Sequence, residues 1–217
     1  MASPGEGLFL VLEGVEGAGK TTQARLLARW LEEEGLPVTL AREPGGTDVG
    51  EAVRRVVLDR GDLTMPPETE LFLILAARAA FVREVVRPVL DRGEIVLADR
   101  FDLSTFAYQG YGRGLDLEQV RAANTVATDG LVPDLYIVLD LPVREGMARK
   151  EGGRGDRIER EGEPFLARVA EGYRALALGG ILPIRLVDAG GPAREVQGAV
   201  RRVLGNLFPE TFSLGGV

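Results

Sequence analysis

At 217 residues the chain is long enough for one α/β domain with a substantial core, and 45% hydrophobic and 27% charged residues are ordinary for a globular protein. A formal net charge of −7 disfavours a general nucleic-acid binder, and the absence of cysteine excludes disulfides, thiolate chemistry and Cys-based zinc sites. Histidine is absent too, so any acid, base or electrophile must be Asp, Glu, Lys, Arg, Tyr or a metal ion.

Met1 to Gly7 is short and polar and lacks a basic stretch, so it does not read as a signal peptide. No apolar run approaches the ~20 residues of a membrane span. The expected compartment is the cytoplasm. Leu8 to Leu12 is a short apolar run that reads as a buried strand. Next comes Gly14-Val15-Glu16-Gly17-Ala18-Gly19-Lys20-Thr21, which fits G-x-x-x-x-G-K-[ST], the phosphate-cradling P-loop. From Thr22 to Glu34 the apolar residues Ala24, Leu27, Ala28 and Leu31 recur at one face of a helix. A P-loop between strand and helix is the context its chemistry requires. Glycines let backbone amides approach an anion, and the helix N-terminus adds partial positive charge. Lys20 can reach the outer phosphates, and Thr21 can place its hydroxyl on Mg²⁺.

Pro37 to Ala41 reads as a second strand, ending in the loop Arg42-Glu43-Pro44-Gly45-Gly46. Asp48 can cap the following helix, with Val49, Ala52, Val53, Val56 and Val57 apolar. Pro66-Pro67 opens a long helix carrying Leu71, Leu75, Ala79, Val82 and Val86, which Pro88 is expected to kink or end. Arg78 lies in it among alanines. Helix period alone leaves open whether it snorkels to the surface or points into a pocket.

Glu94 to Asp99 is a third strand ending in an acid, which can hold Mg²⁺ or cap the next turn. The adjacent Arg100 can fork onto a phosphate or pair with Asp99 at the surface. A polar and aromatic loop runs on to Gly110, and Asp116 can cap a helix to about Thr128. Leu135 to Asp140 is a fourth strand, with a helix from Pro142. Arg149 to Arg157 is glycine-rich and basic. A solvated loop is the plain explanation; a mobile lid at about 149–159, closing on a triphosphate, is the favoured one. Helix resumes near Glu163. Ile184 to Asp188 is a fifth strand, a last helix spans about Pro192 to Leu204, and the tail at about 209–217 is expected to be loose.

Strands alternating with helices imply βαβ units, right-handed crossovers and a parallel sheet in a single domain over 1–217. Ligands of such sheets bind beyond the carboxyl ends of the strands, where every loop singled out above lies.

Taken together, these residues resemble bacterial thymidylate kinase over nearly the whole chain. The resemblance is carried by Glu13 to Thr22, Arg42 to Thr47, Ala76-Ala77-Arg78, Asp99 to Gly110, and Asp156-Arg157-Ile158-Glu159. It implies a P-loop NTPase three-layer α/β/α sandwich with a five-stranded parallel sheet, and transfer of the γ-phosphoryl of MgATP to dTMP. Gly14, Val15, Glu16, Gly17, Ala18, Gly19, Lys20, Thr21 and Thr22 would bind ATP, with Thr21 and Asp99 on Mg²⁺. Glu16 would also face the 3′-hydroxyl side of the acceptor, Arg54 and Arg100 would hold its phosphate, and Pro44 would belong to the same side. Arg78 would hydrogen-bond thymine, Ser104 and Thr105 would line the base pocket with Gln109 nearby, and Tyr108 would sit beneath the sugar. Lys20, Arg100 and a lid arginine, Arg149 or Arg154, would be catalytic. A homodimer is implied, without nucleic-acid or membrane partners.

One position departs from the family pattern. The phenylalanine usual four residues before the equivalent of Arg78 is Ile74 here, and Phe72 lies about 200° round the helix from it. Either Ile74 packs on the base or a local shift brings Phe72 inward. The alternatives to this function are a P-loop kinase for another nucleoside monophosphate and a GTPase-type switch.

Overall fold

The computed structural model describes residues 7–150 and 155–212. Arg154 of the expected lid therefore lies outside the described residues.

Five parallel strands form the sheet: β1 (Leu8–Gly14), β2 (Val38–Arg42), β3 (Ile95–Asp99), β4 (Leu135–Asp140) and β5 (Ile184–Asp188), in the spatial order β2-β3-β1-β4-β5. All of β1 is buried, as are the apolar residues of β3 and β4. Continuous apolar runs, rather than alternation, are what a parallel sheet covered on both faces demands. Around it lie α1 (Lys20–Glu33), α2 (Asp48–Arg54), α3 (Pro67–Phe81), α4 (Arg87–Leu90), α5 (Asp102–Thr105), α6 (Leu117–Thr128), α7 (Val143–Arg149), α8 (Glu163–Leu178) and α9 (Ala193–Leu207). Helices α1 and α9 pack together, while α4, α5 and α8 meet β3, β1 and β5. The result is the α/β/α sandwich expected.

Strand order positions the site. The chain leaves β1 for β2, returns to insert β3 between them, and then crosses to β4 on the other side of β1. The register sets Leu12 beside Asp99, Asp99 beside Arg42, and Gly14 beside Leu139. The carboxyl ends therefore share one edge, with β1 and its P-loop at the point where the direction of winding reverses.

Several local expectations need correction. Helix α1 begins at Lys20, because Gly19 takes the left-handed conformation just before it. Thr47, not Asp48, caps α2: its hydroxyl accepts from the Gly50 amide at 2.9 Å. Asp48 becomes the first helical residue, where a negative charge still suits the helix dipole. The long helix does not end at Pro88 but runs on to Leu90. It passes through a π-helical turn, Val82–Val86, and resumes as α4. Proline, which has no N–H, sits where the hydrogen-bond register changes and one fewer donor is needed. The tail is packed at least as far as Phe212, whose buried ring lies 5.9 Å from Trp30 and 6.0 Å from Phe208.

Candidate active site

The P-loop is shaped by close approach. At Gly17, φ is 76° and an added Cβ would meet the Gly146 carbonyl oxygen of α7 at 2.1 Å, so no side chain fits. Val15 and Ala18 are buried beneath the loop. Lys20 opens α1 and is 6% exposed, its Nζ donating to the Val15 carbonyl at 2.8 Å. Burial and the neighbouring Arg100 push its pKa down to about 8, against the opposing pull of Glu16 and Asp99. The Thr21 hydroxyl donates to Asp99 Oδ2 at 2.6 Å. This pair offers two hard oxygens at the end of β3. Among the described residues no cluster of three or more His, Cys, Asp or Glu could hold a metal alone. Such a donor set suits Mg²⁺, which keeps waters and takes much of its coordination from substrate phosphates.

Arg100, next to Asp99, does not pair with it at the surface. Its φ of 76° is costly for a residue with a Cβ and turns the side chain back across the P-loop. Nη1 donates to Gly14 O (3.1 Å), Ser104 Oγ (3.1 Å) and Tyr173 Oη (3.3 Å); Nη2 donates to Glu16 Oε2 (3.0 Å) and Tyr108 Oη (3.1 Å). The guanidinium also stacks 5.1 Å from the Tyr108 ring centre. Beneath it Glu13 is fully buried, accepting from the amides of Phe101 and Ser104 and from the hydroxyls of Ser104 and Tyr173. Burial pushes the Glu13 carboxyl up, with Arg100 and these donors restraining the rise. Glu16 goes the other way: burial disfavours its charge, but Lys20 and Arg100 hold its pKa far below the usual range. Burial raises the Tyr108 hydroxyl to about 12, so it stays protonated.

The opposite end of the cleft is organised by Arg78. It points inward, is 1% exposed, and donates four hydrogen bonds to the protein besides its ion pair. Nε bonds Glu43 Oε2 (2.9 Å), Nη1 bonds Thr105 Oγ1 (2.7 Å) and Asn124 Oδ1 (3.0 Å), and Nη2 bonds the Phe101 carbonyl (3.1 Å) and pairs with Glu43 (2.8 Å). Burial raises the Glu43 carboxyl to about 7 despite Arg78, and its Oε1 has no partner. Ile74, one turn before Arg78, lines the cleft, while Phe72 is 64% exposed. The inward shift of Phe72 is thus overturned, because its position faces away from the cleft. Gln109 donates to Glu70 Oε1 at 2.8 Å, and Glu70 also takes Arg113 and Arg157.

Between these ends runs a cleft of about 690 Å³. Glu16, Gly17, Gly19, Lys20, Thr21 and Thr22 line its P-loop wall, with Asp99, Arg100 and Arg149. Pro44, Arg54, Ile74, Arg78, Ser104, Thr105, Tyr108 and Gln109 line the rest. Arg54 is half-buried and donates to the Pro44 carbonyl at 3.0 Å. The arginines expected in the lid diverge: Arg149 donates to the carbonyls of Ala189 (3.0 Å) and Gly190 (3.2 Å), and Arg157 turns to Val57 O (2.7 Å) and Glu70. Lys150 instead reaches Glu16 Oε1 at 2.5 Å and Glu159.

Glu13, Glu43, Glu70, Tyr173 and Lys150 were not assigned roles from sequence. Glu13 could have been found as a carboxylate inside a buried strand. Glu70, Ile74 and Arg78 follow one another at four-residue steps, hence on one helix face. Tyr173 carried no local signal.

A family model described as thymidylate kinase matches residues 12–200. The chain is 56% identical over 172 residues to the thymidylate kinase of Desulforudis audaxviator, covering 79% of this chain and 78% of that one. It is 47% identical over 213 residues to that of Thermosynechococcus vestitus, covering 93% and 88%. Its fold is similar to the crystal structure of thymidylate kinase from Ehrlichia chaffeensis, with a TM-score of 0.76 and 29% identity, covering 92% of this chain and 99% of that one. The family match spans both the P-loop and the loop after Asp99, and on that basis the chain belongs to the thymidylate kinase family.

Proposed function

We propose that the cleft transfers the γ-phosphoryl of ATP to the 5′-phosphate of dTMP, releasing ADP and dTDP. The observation that carries this assignment is one cleft shared by Lys20, Glu16 and Arg100 at the P-loop end and by Ile74, Arg78 and Thr105 at the other. The P-loop from Gly14 to Thr22 holds ATP. Arg100 and Arg54 hold the acceptor phosphate and offset the repulsion between two anionic substrates. Pro44 flanks that phosphate, and Glu16 faces the sugar 3′-hydroxyl. Tyr108 lies beneath the sugar, where it disfavours a ribose 2′-hydroxyl. Ile74, Ser104, Thr105 and Gln109 enclose the base, and Arg78 hydrogen-bonds it by exchanging one of its present acceptors.

The acceptor oxygen is already ionised, so no general base is required. Its bond to the γ-phosphorus forms as the β–γ bridging bond breaks, and ADP leaves with the electron pair. Positioning and charge neutralisation supply the rate. Lys20 holds the outer phosphates of ATP, and Arg100 brings the acceptor into line. Thr21 and Asp99 would hold Mg²⁺, which would supply charge neutralisation at the phosphates. The segment at about 149–159, with Arg149 and Arg154 as its arginines, serves as a lid over ATP within a single kinase domain.

Exposed Phe72 on α3 and Val126 on α6 support a homodimer through this side of the molecule, away from the cleft. Sedimentation at micromolar concentration tests it. Among the described residues no helix is long and apolar enough to cross a membrane. The proposed compartment is the cytoplasm.

ADP release from MgATP with dTMP, dUMP, UMP, CMP, GMP or AMP, run beside Lys20→Ala, tests the assignment. Strong preference for dTMP, abolished by the substitution, is expected. Preference for another acceptor would replace the substrate, and turnover independent of any acceptor would remove the reaction.

A further inference from the structure

Two cations pair with the single carboxylate of Glu16. Its Oε2 takes Arg100 at 3.0 Å and its Oε1 takes Lys150 at 2.5 Å, while Lys20 contributes to holding it ionised. A carboxylate with both oxygens engaged by cations, beside the phosphate loop, occupies a place that suits phosphoryl oxygens. The three cations differ in freedom. Lys20 is buried and tied to Val15, and Arg100 is held by five acceptors. Lys150 follows α7 directly, its side chain is 45% exposed, and among the described residues its ammonium pairs with the carboxylates of Glu16 and Glu159. A four-carbon stem lets such an ammonium move by a few Å without moving the backbone.

Arg149, the neighbouring cation, spends its Nη2 on two carbonyls of the loop after β5. It therefore points away from Glu16, where Lys150 points toward it.

We propose that Lys150 is a catalytic residue: its ammonium leaves Glu16 for the γ-phosphoryl during transfer and neutralises charge that develops on the equatorial oxygens and the leaving bridge oxygen. A contact made mainly in the transition state raises turnover rather than substrate affinity. Glu16 and Glu159 hold the ammonium in place until the phosphoryl group competes for it. This role rests on the kinase assignment above and adds a third cation to Lys20 and Arg100.

The test compares the wild-type protein with Lys150→Met and Lys150→Arg under saturating MgATP and dTMP. It also measures binding of ATP alone, dTMP alone, and ADP with aluminium fluoride and dTMP together. Turnover by the wild type tests the kinase assignment, and the ratio of variant to wild type tests Lys150. Lys150→Met is expected to lose on the order of 10² in kcat and in affinity for the aluminium fluoride complex, with separate ATP and dTMP binding within about threefold. Lys150→Arg should recover at least about a tenth of wild-type kcat. A kcat for Lys150→Met within about twofold of wild type, or a loss confined to substrate binding, would overturn the proposal.

Discussion

Glu43, just past the end of β2, and Arg78, in the body of α3, form an ion pair of 2.8 Å in which both side chains are almost wholly shielded from water. It joins the loop after β2 to the helix that lines the base end of the cleft. Removing one partner strands a buried charge, so Glu43→Ala is expected to lose about 3 kcal/mol of stability in urea unfolding. Replacing both with methionine should cost less than the sum of the two single changes, since neither charge is then left unpaired. An additive double variant would show that the pair does not act as a unit.

Lys20 predicts a pH dependence. Burial and Arg100 lower its pKa to about 8, so the ammonium is charged well below that pH and lost as pH rises through it. ATP binding favours the charged form and takes up a proton where Lys20 is neutral. The affinity of the free protein for ATP should therefore be flat below pH 8 and weaken above it by up to about tenfold per pH unit. Titration calorimetry between pH 7 and 9.5 measures this slope, and Lys20→Ala should abolish it.

Arg100 needs its planar fork to meet five acceptors and a phosphate in one geometry. Arg100→Lys keeps the charge and loses the fork, and kcat/KM for dTMP is expected to fall on the order of 10² to 10³. Steady-state kinetics with dTMP varied checks it. A loss below about threefold would mean that charge alone suffices.

Ile74 lines the cleft and Phe72 does not. Ile74→Ala removes about three buried methyl or methylene groups from the base wall and should raise KM for dTMP roughly tenfold, with kcat less affected. Phe72→Ala should leave KM for dTMP unchanged. The reverse pattern in the same assay would place the aromatic residue at the base after all.

The sequence by itself determined the five strands, the alternation with helices and the P-loop, because each rests on local physics. Apolar runs bury, glycines permit the loop's backbone, and the loop needs only its flanking strand and helix. It also brought the candidate loops to one edge, since parallel strands joined by helices all end there. Local rules failed at chemistry that depends on neighbours: Pro88 was expected to kink or end the long helix, which continues past it after a π-helical turn. Only the tertiary structure decided that β3 lies between β1 and β2, which sets Asp99 beside the P-loop for Thr21. The same holds for Tyr173, which meets Glu13 across 160 positions of chain. Arg100, Arg149 and Lys150 make the point most sharply. Long charged side chains have many rotamers of similar energy, so their direction is set by the acceptors that surround them. Those acceptors, Glu16, Tyr108 and the Ala189 carbonyl, come from separate parts of the chain.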